Sequence, residues 1–251
     1  MIVIPMAGLS SRFTKQGYDR PKYMLPLHGH TVFDYSINSF RSAFETETFL
    51  FIALAQPGLE DFLIQHLTSL GVKDFRIEIL DKPTRGQAET VALGLERQGV
   101  DEKCSLTIFN IDTFNIGGFR PYPPRFPDAA GVLEVFRGSG DNWSFVEPAN
   151  QNDTRVIRTT EKIPISDLCC TGLYHFATYT DYHRAFEAEC AKPQAPELYV
   201  APIYNHLIAE GAIVRYDLVD AGDIIFCGIP EEYEALCSNS HTPCHGLQLK
   251  C

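Results

Sequence analysis

Two cations and a bare turn near the start of the chain are the first residues able to do chemistry. The apolar run Ile2 to Ile4 reads as a buried strand, and the turn after it, Met6, Ala7, Gly8, Leu9, Ser10 and Ser11, is rich in small residues. Side chains this small let backbone N–H groups approach an anion closely, so the segment reads as a phosphate cradle. Arg12 and Lys22 add fixed charge. From position 12 to 22 the basic residues Arg12, Lys15, Arg20 and Lys22 face Asp19 alone, in a chain of net charge -11. That local excess points to a small anionic ligand. Ser105 to Phe109 reads as another apolar strand, and Asp112 stands just past it, where a hard cation bridging phosphates is held. A turn or helix-cap role for Asp112 is the plain alternative.

The elements that must position these groups alternate. Phe33, Ile37, Phe40 and Phe44 recur at helical spacing, Phe49 to Ala55 reads as a strand, Leu59 to Leu70 as a helix stopped by Gly71, and Phe75 to Leu80 as a strand. A helix with the face Ala88, Val91, Ala92 and Leu95 follows the loop from Asp81 to Gln87. The pattern predicts an α/β fold: a Rossmann-like, doubly wound, mostly parallel but mixed sheet with helices on both faces. Farther on, Gly131 to Phe136 and Trp143 to Val146 flank a polar turn and predict a hairpin. The proline-rich stretch 117–128 reads as a surface excursion able to act as a lid. Arg155 to Thr160 reads as a strand delivering Glu161 and Lys162, Thr180 to Cys190 as a helix, Tyr199 to Asn205 as the start of another, and Ile213 to Val219 as a strand. His66, on an apolar stripe, reads as a core or boundary histidine.

With Ala7-Gly8-Leu9-Ser10-Ser11-Arg12 and Pro21-Lys22-Tyr23-Met24-Leu25-Pro26 in place, the chain resembles the sugar-phosphate nucleotidylyltransferases, the enzymes that make nucleotide-activated sugars. The family pattern is a small-residue loop, an Arg, then Pro-Lys, an apolar residue and Pro. Many members have two or three glycines in the loop where this chain has one. A second resemblance is Glu161-Lys162 before Thr171-Gly172-Leu173-Tyr174, and a third is Asp223-Ile-Ile-Phe-Cys-Gly228-Ile-Pro-Glu-Glu-Tyr233, similar to the family's closing segment. In the third, Phe226 falls where the family's second metal carboxylate would stand, which leaves Asp223 or Asp220 as substitutes.

The resemblance implies transfer of a nucleoside monophosphate from an NTP to a sugar 1-phosphate or similar small phosphorylated acceptor, with pyrophosphate released. The setting it implies is capsule or lipopolysaccharide precursor synthesis. It implies that residues 6–11 cradle the triphosphate, that Arg12 and Lys22 hold its phosphates, and that Thr84, Gly86 and Gln87 meet the base. Asp112, with Asp223, would bind Mg²⁺. Lys162 would hold the acceptor phosphate, and Glu161, Thr171, Gly172 and Asn205 would line its pocket. A nucleotide-sugar-dependent glycosyltransferase has the same layering, and Asn110-Ile111-Asp112 is similar to its Asp-x-Asp motif, but Arg12 and Pro21-Lys22 have no purpose there. A catalytically silent nucleotide or sugar-phosphate binder is the third reading, motivated by Phe226.

Composition narrows the partners. At 251 residues and 45% hydrophobic content, residues 1–236 can form one catalytic domain, followed by a tail over 237–251. The net charge of -11 disfavours a nucleic-acid polymer as partner, whose binding depends on basic residues neutralising phosphates, and the expectation is no nucleic acid. No apolar run reaches the roughly 18 residues of a membrane span, so the expectation is a cytoplasmic protein with an NTP and a phosphorylated acceptor as its partners and homo-oligomerisation left open. Of the eight cysteines, Cys104, Cys169, Cys170 and Cys227 lie in apolar runs as small hydrophobes. Cys237, Cys244 and Cys251 with His241 and His245 lack a tight ligand pair and read as a frayed tail rather than a metal site.

Overall fold

The computed structural model describes residues 1–122 and 124–239; of the tail, Cys244, Cys251, His241 and His245 lie outside the described residues. Four parallel strands carry the amino-terminal half: β1 (Ile2–Met6), then, after the two-residue strands β2 (Pro26–Leu27) and β3 (His30–Thr31), β4 (Thr48–Leu54), β5 (Asp74–Leu80) and β6 (Leu106–Phe109). Their order across the sheet is β5-β4-β1-β6, so the winding direction reverses between β1 and β6. A crevice opens at the carboxyl ends of strands at such a reversal.

Alternation along these strands explains the layers. Val3, Leu50, Ile52, Leu106 and Ile108 point to one face. Ile2, Ile4, Met6, Phe49, Phe51 and Phe109 point to the other. The first face is covered by α4 (Gln87–Arg97), α5 (Tyr179–Ala191) and α6 (Val200–Ala209). The second is covered by α2 (Val32–Asn38) and α3 (Leu59–Leu70), which follow the short α1 (Ser11–Lys15) in the chain. Helix α2 begins at a capping box between Thr31 and Asp34 and ends at Asn38, short of the predicted Phe44. Its continuation is diverted at Ser39, whose carbonyl accepts from the Phe119 N–H and whose hydroxyl accepts from the Asn115 N–H. Helix α3 stops at Gly71, held in the left-handed region at φ 88°. His66 on α3 packs on Phe62 and pairs with Asp34 at 2.7 Å, in keeping with a boundary histidine.

The carboxyl-terminal half is mostly antiparallel. It contains β7 (Thr113–Asn115), β8 (Gly131–Arg137), β9 (Ser144–Pro148), β10 (Val156–Glu161), β11 (Leu168–Phe176), β12 (Val214–Leu218), β13 (Ile224–Phe226) and the helix α7 (Pro230–Ser238). The predicted hairpin between β8 and β9 does not form among the described residues; both strands pair with β11, and β9 makes its hairpin with β10. All nine residues of β11 are buried, so its backbone needs partners on both edges, and it takes β8 along one and β9 then β6 along the other. The stretch 117–128 runs over the surface at Arg120, Pro121, Pro127 and Asp128, as expected, and is anchored by Phe119 and Tyr122, which are buried in the core. No described helix is long and apolar enough to cross a membrane.

One buried carboxyl of this half, Glu134, makes no ion pair among the described residues. Glu134 on β8 lies in register with Asp217 on β12, and both are buried. Asp217 takes two guanidinium nitrogens of Arg125. Glu134 instead accepts from Thr171 Oγ1 at 2.8 Å, Tyr122 Oη at 3.4 Å and Asn115 Nδ2 at 3.5 Å. Burial pushes its carboxyl up to about 7, with the Asp217 charge adding to the shift. Because the folded value lies above the unfolded one, the stability this group contributes is complete below about pH 4.5 and is lost as pH rises to about 7. Glu134→Gln is therefore expected to flatten the fall in stability between those pH values, an effect of at most about 3 kcal/mol. Urea unfolding midpoints of both proteins across that range check it.

Candidate active site

The loops at the carboxyl ends of β1 and β6 open into a cleft of about 920 Å³. Met6, Ala7, Gly8, Leu9, Ser10, Ser11 and Arg12 all line it, as do Lys22 and Asp112. A Cβ built on Gly8 meets no atom within 4 Å, so the chain's own packing does not demand a glycine there. Ser10 adopts φ 48° at the start of α1, and its Oγ accepts from the Lys22 N–H at 3.3 Å, tying the loop to the Pro21-Lys22 turn. Next to Lys22, the buried Tyr23 accepts at Oη from Gln56 Nε2 at 2.7 Å and anchors that turn in the core.

Lys22 Nζ meets Asp112 Oδ2 at 2.5 Å, with both side chains about four-fifths covered. Asp112 is held from behind: its carbonyl accepts from the Cys227 N–H at 2.8 Å, because β7 and β13 pair antiparallel and bring residues 226–228 alongside. Asn110 does not sit beside Asp112 as a second ligand; its Oδ1 accepts from Gln87 Nε2 at 2.5 Å.

Thr84, Gly86 and Gln87 line the opposite wall. The Thr84 hydroxyl bonds the Gly86 carbonyl and the Thr90 hydroxyl. A Cβ on Gly86 would fall 2.6 Å from the Leu198 backbone, so only glycine lets residues 197–199 run beside this loop and bring Glu197 and Tyr199 to the cleft. Glu161, Thr171 and Gly172 also line the cleft. Gly172, at φ 98°, leaves room for the Asn110 side chain. Lys162 is not itself a lining residue; it follows Glu161 and donates from Nζ to Tyr199 Oη at 2.7 Å.

Three expected site residues are elsewhere. Asp223 lies beyond the Ile224 end of β13, with its carboxylate against Gly117, whereas Asp112 adjoins Cys227 at the other end. About 13 Å of extended strand separates those positions. Asp220 caps its own turn through the Gly222 N–H. Asn205 faces the sheet: its amide accepts from Thr159 N–H and donates to the Thr159 carbonyl, so it reaches the cleft only by fixing β10, which ends in Glu161. Sequence reasoning missed Trp143, Ser144, Glu197 and Glu232 as lining residues. Glu232 carried a signal, since it caps α7 by accepting from Gly228 and Ile229 N–H, close to Asp112.

For a divalent cation the donor set supplies Asp112, while the nearby Glu232 carboxylate is engaged by the Gly228 and Ile229 N–H groups. No group of three ligating side chains occurs among the described residues. That fits Mg²⁺ held between one carboxylate and substrate phosphates rather than in a protein cage.

A nucleoside-diphosphate-sugar pyrophosphorylase from Vibrio cholerae RC9 is 49% identical to this chain, superposes with a TM-score of 0.90, and is matched over 95% of this chain and 100% of its own. This chain belongs to that family. It is a nucleotidyltransferase. The inositol-1-phosphate CTP transferase of T. maritima (16% identity, TM-score 0.71, 99% and 94% covered) and a UTP-bound UGPase from Acinetobacter baumannii (14%, 0.70, 99% and 97%) share its fold. No protein-family model and no curated protein matches the chain.

Gly86→Ala is expected to destabilise by about 1–3 kcal/mol, since the clash is with backbone rather than a mobile side chain. At this chain size that is a loss of roughly 2–4 °C in Tm per kcal/mol, read by thermal unfolding.

Proposed function

We propose that residues 1–236 act as one catalytic domain that couples an NTP to a small phosphorylated acceptor, a sugar 1-phosphate or a compound like it, and releases pyrophosphate. The observation that carries this reading is the meeting of residues 6–12, Lys22 and Asp112 in one cleft at the β1–β6 crevice. The pathway we assign is cytoplasmic synthesis of capsule or lipopolysaccharide precursors, as the resemblance implies.

In this mechanism the main chain of residues 6–11 and the Arg12 guanidinium hold the β- and γ-phosphates, and the loop of Thr84, Gly86 and Gln87 holds the base. Lys22 neutralises charge gathering on the α-phosphate. Lys162 orients the acceptor phosphate, with Glu161, Thr171 and Gly172 forming the acceptor wall. An acceptor phosphate oxygen forms a bond to the α-phosphorus while the bond from that phosphorus to the bridging oxygen breaks, and pyrophosphate leaves with the electron pair. Asp112 would hold Mg²⁺, which when bound supplies positive charge to the phosphate oxygens. Little covalent work falls to the protein, and positioning with charge neutralisation accounts for the rate.

Lys22→Ala and Asp112→Asn are each expected to lower turnover by roughly 10²-fold or more, the scale of one preorganised charge contact. Pyrophosphate release at saturating substrate measures it, and near-normal turnover in both variants removes the mechanism.

A further inference from the structure

Two kinds of chemistry line the cleft. Arg12, Lys22 and the β1 turn supply one; the rings of Trp143, Tyr199 and Phe226, the last beside Asp112, and the carboxylates of Glu161 and Glu197 supply the other. The Trp143 and Phe226 rings stand 4.5 Å apart at 50°, with Phe136 behind them at 5.2 and 5.4 Å, so this wall is packed in place. The Glu161 side chain is only 9% exposed. Desolvation pushes its carboxyl above the ordinary range, and the like charge of Glu197 adds to the shift.

Several side chains that would read the hydroxyls of a neutral sugar are turned elsewhere. Ser144 Oγ donates to Glu161, Thr171 Oγ1 to Glu134, and Gln87 Nε2 to Asn110, while Asn205 clasps Thr159. Arg85, a basic lining residue, is paired with Glu89. The Asn142 amide, the aromatic faces and carboxylate charge remain, and the last two together are a combination that holds an ammonium. The surface already holds one: Lys162 Nζ lies 4.6 Å from the Tyr199 ring centroid and 3.7 Å from Glu161 Oε1.

We infer that the acceptor carries an ammonium group as well as its phosphate, the ammonium resting on the Trp143–Phe226 wall with Glu161 as its counter-charge and the phosphate taking Lys162 from Glu161. The inference rests on the nucleotidyltransferase reading and narrows its acceptor. An aminoalcohol phosphate and an amino-sugar 1-phosphate share this chemistry.

The test is pyrophosphate release by the full chain, with CTP, UTP, dTTP, GTP and ATP each offered phosphoethanolamine, phosphocholine, an aminohexose 1-phosphate and glucose 1-phosphate. The expected result is a kcat/KM for an ammonium-bearing acceptor at least roughly tenfold above that for glucose 1-phosphate. Which acceptor leads separates the aminoalcohol source from the amino-sugar one. Trp143→Leu and Phe226→Leu are each expected to raise KM for that acceptor by roughly tenfold and KM for the NTP by less, while Trp143→Phe and Phe226→Tyr keep the preference. Glucose 1-phosphate used as well as the ammonium-bearing acceptors, or a preference that survives loss of both rings, overturns the inference and leaves the nucleotidyltransferase reading standing. No pyrophosphate from any pair overturns that reading itself.

Discussion

The Lys22–Asp112 contact is the constraint around which the rest is arranged. An ammonium and a carboxylate from positions 90 residues apart meet at 2.5 Å while mostly covered by protein. A half-buried pair of this kind adds little net stability, because desolvating both ions offsets their attraction, yet removing one partner strands the other charge. The fold therefore has to deliver both groups together. Lys22 is fixed by the buried ring of Tyr23 and by Ser10 on the β1 turn; Asp112 is fixed by β6 and by the Cys227 N–H. On the proposed mechanism the pair is also the point of exchange, since a triphosphate offers Lys22 new anionic partners and a divalent cation offers Asp112 a new positive one. Neither charge then passes through an unpaired state.

The two halves of the sheet contribute different chemistry to one cleft. The parallel half supplies the small-residue turn and the crevice between β1 and β6. The antiparallel half supplies aromatic and acidic walls from Trp143 just before β9, Glu161 on β10, Phe226 on β13 and Glu232 on α7. Strand β11 joins them, bonded to β6 at its carboxyl end and to β9 near its amino end. Its register breaks between Cys170 and Tyr174, and Thr171 and Gly172 face the cleft there. Gly172 then admits Asn110, and Asn110 holds Gln87. A single irregularity in the most buried strand thus sets the position of side chains on two separate loops.

Much of this was legible in the chain itself, and the limits have physical reasons. Local patterns carried the parallel half, because a buried parallel strand is a continuous apolar run and each helix between strands shows a stripe. The cleft residues from Met6 to Lys22 were legible because small residues and charges at fixed spacing have few other uses in an acidic chain. Pairing was not legible. Whether β8 joins β9 or β11 depends on which strand must satisfy two edges in the core, a non-local question, and the turn-like residues 138–142 suggested the nearer partner. The prolines of 117–128 marked its surface course, whereas the anchoring of Phe119 and Tyr122 in the core depends on contacts distant in sequence.

Asp223 and Asn205 show the same limit at the scale of single side chains. Both have the right chemistry at nearly the right place in the chain, and in both the register of an element sends the side chain elsewhere. Asp223 is displaced along β13 because Phe226, rather than an acidic residue, lies opposite Thr113 and next to Asp112. That ring carries no charge to share a cation with Asp112, and its contact with Trp143 replaces a polar corner of the cleft by an apolar one. A drier corner strengthens the interaction of any phosphate with the charges that remain, Arg12 and Lys22, because less water screens them. On the proposed mechanism the loss of a second carboxylate and the gain of an aromatic wall are therefore one change: the site relies less on a protein-built metal cage and more on the substrate's own oxygens, held in a less polar cleft.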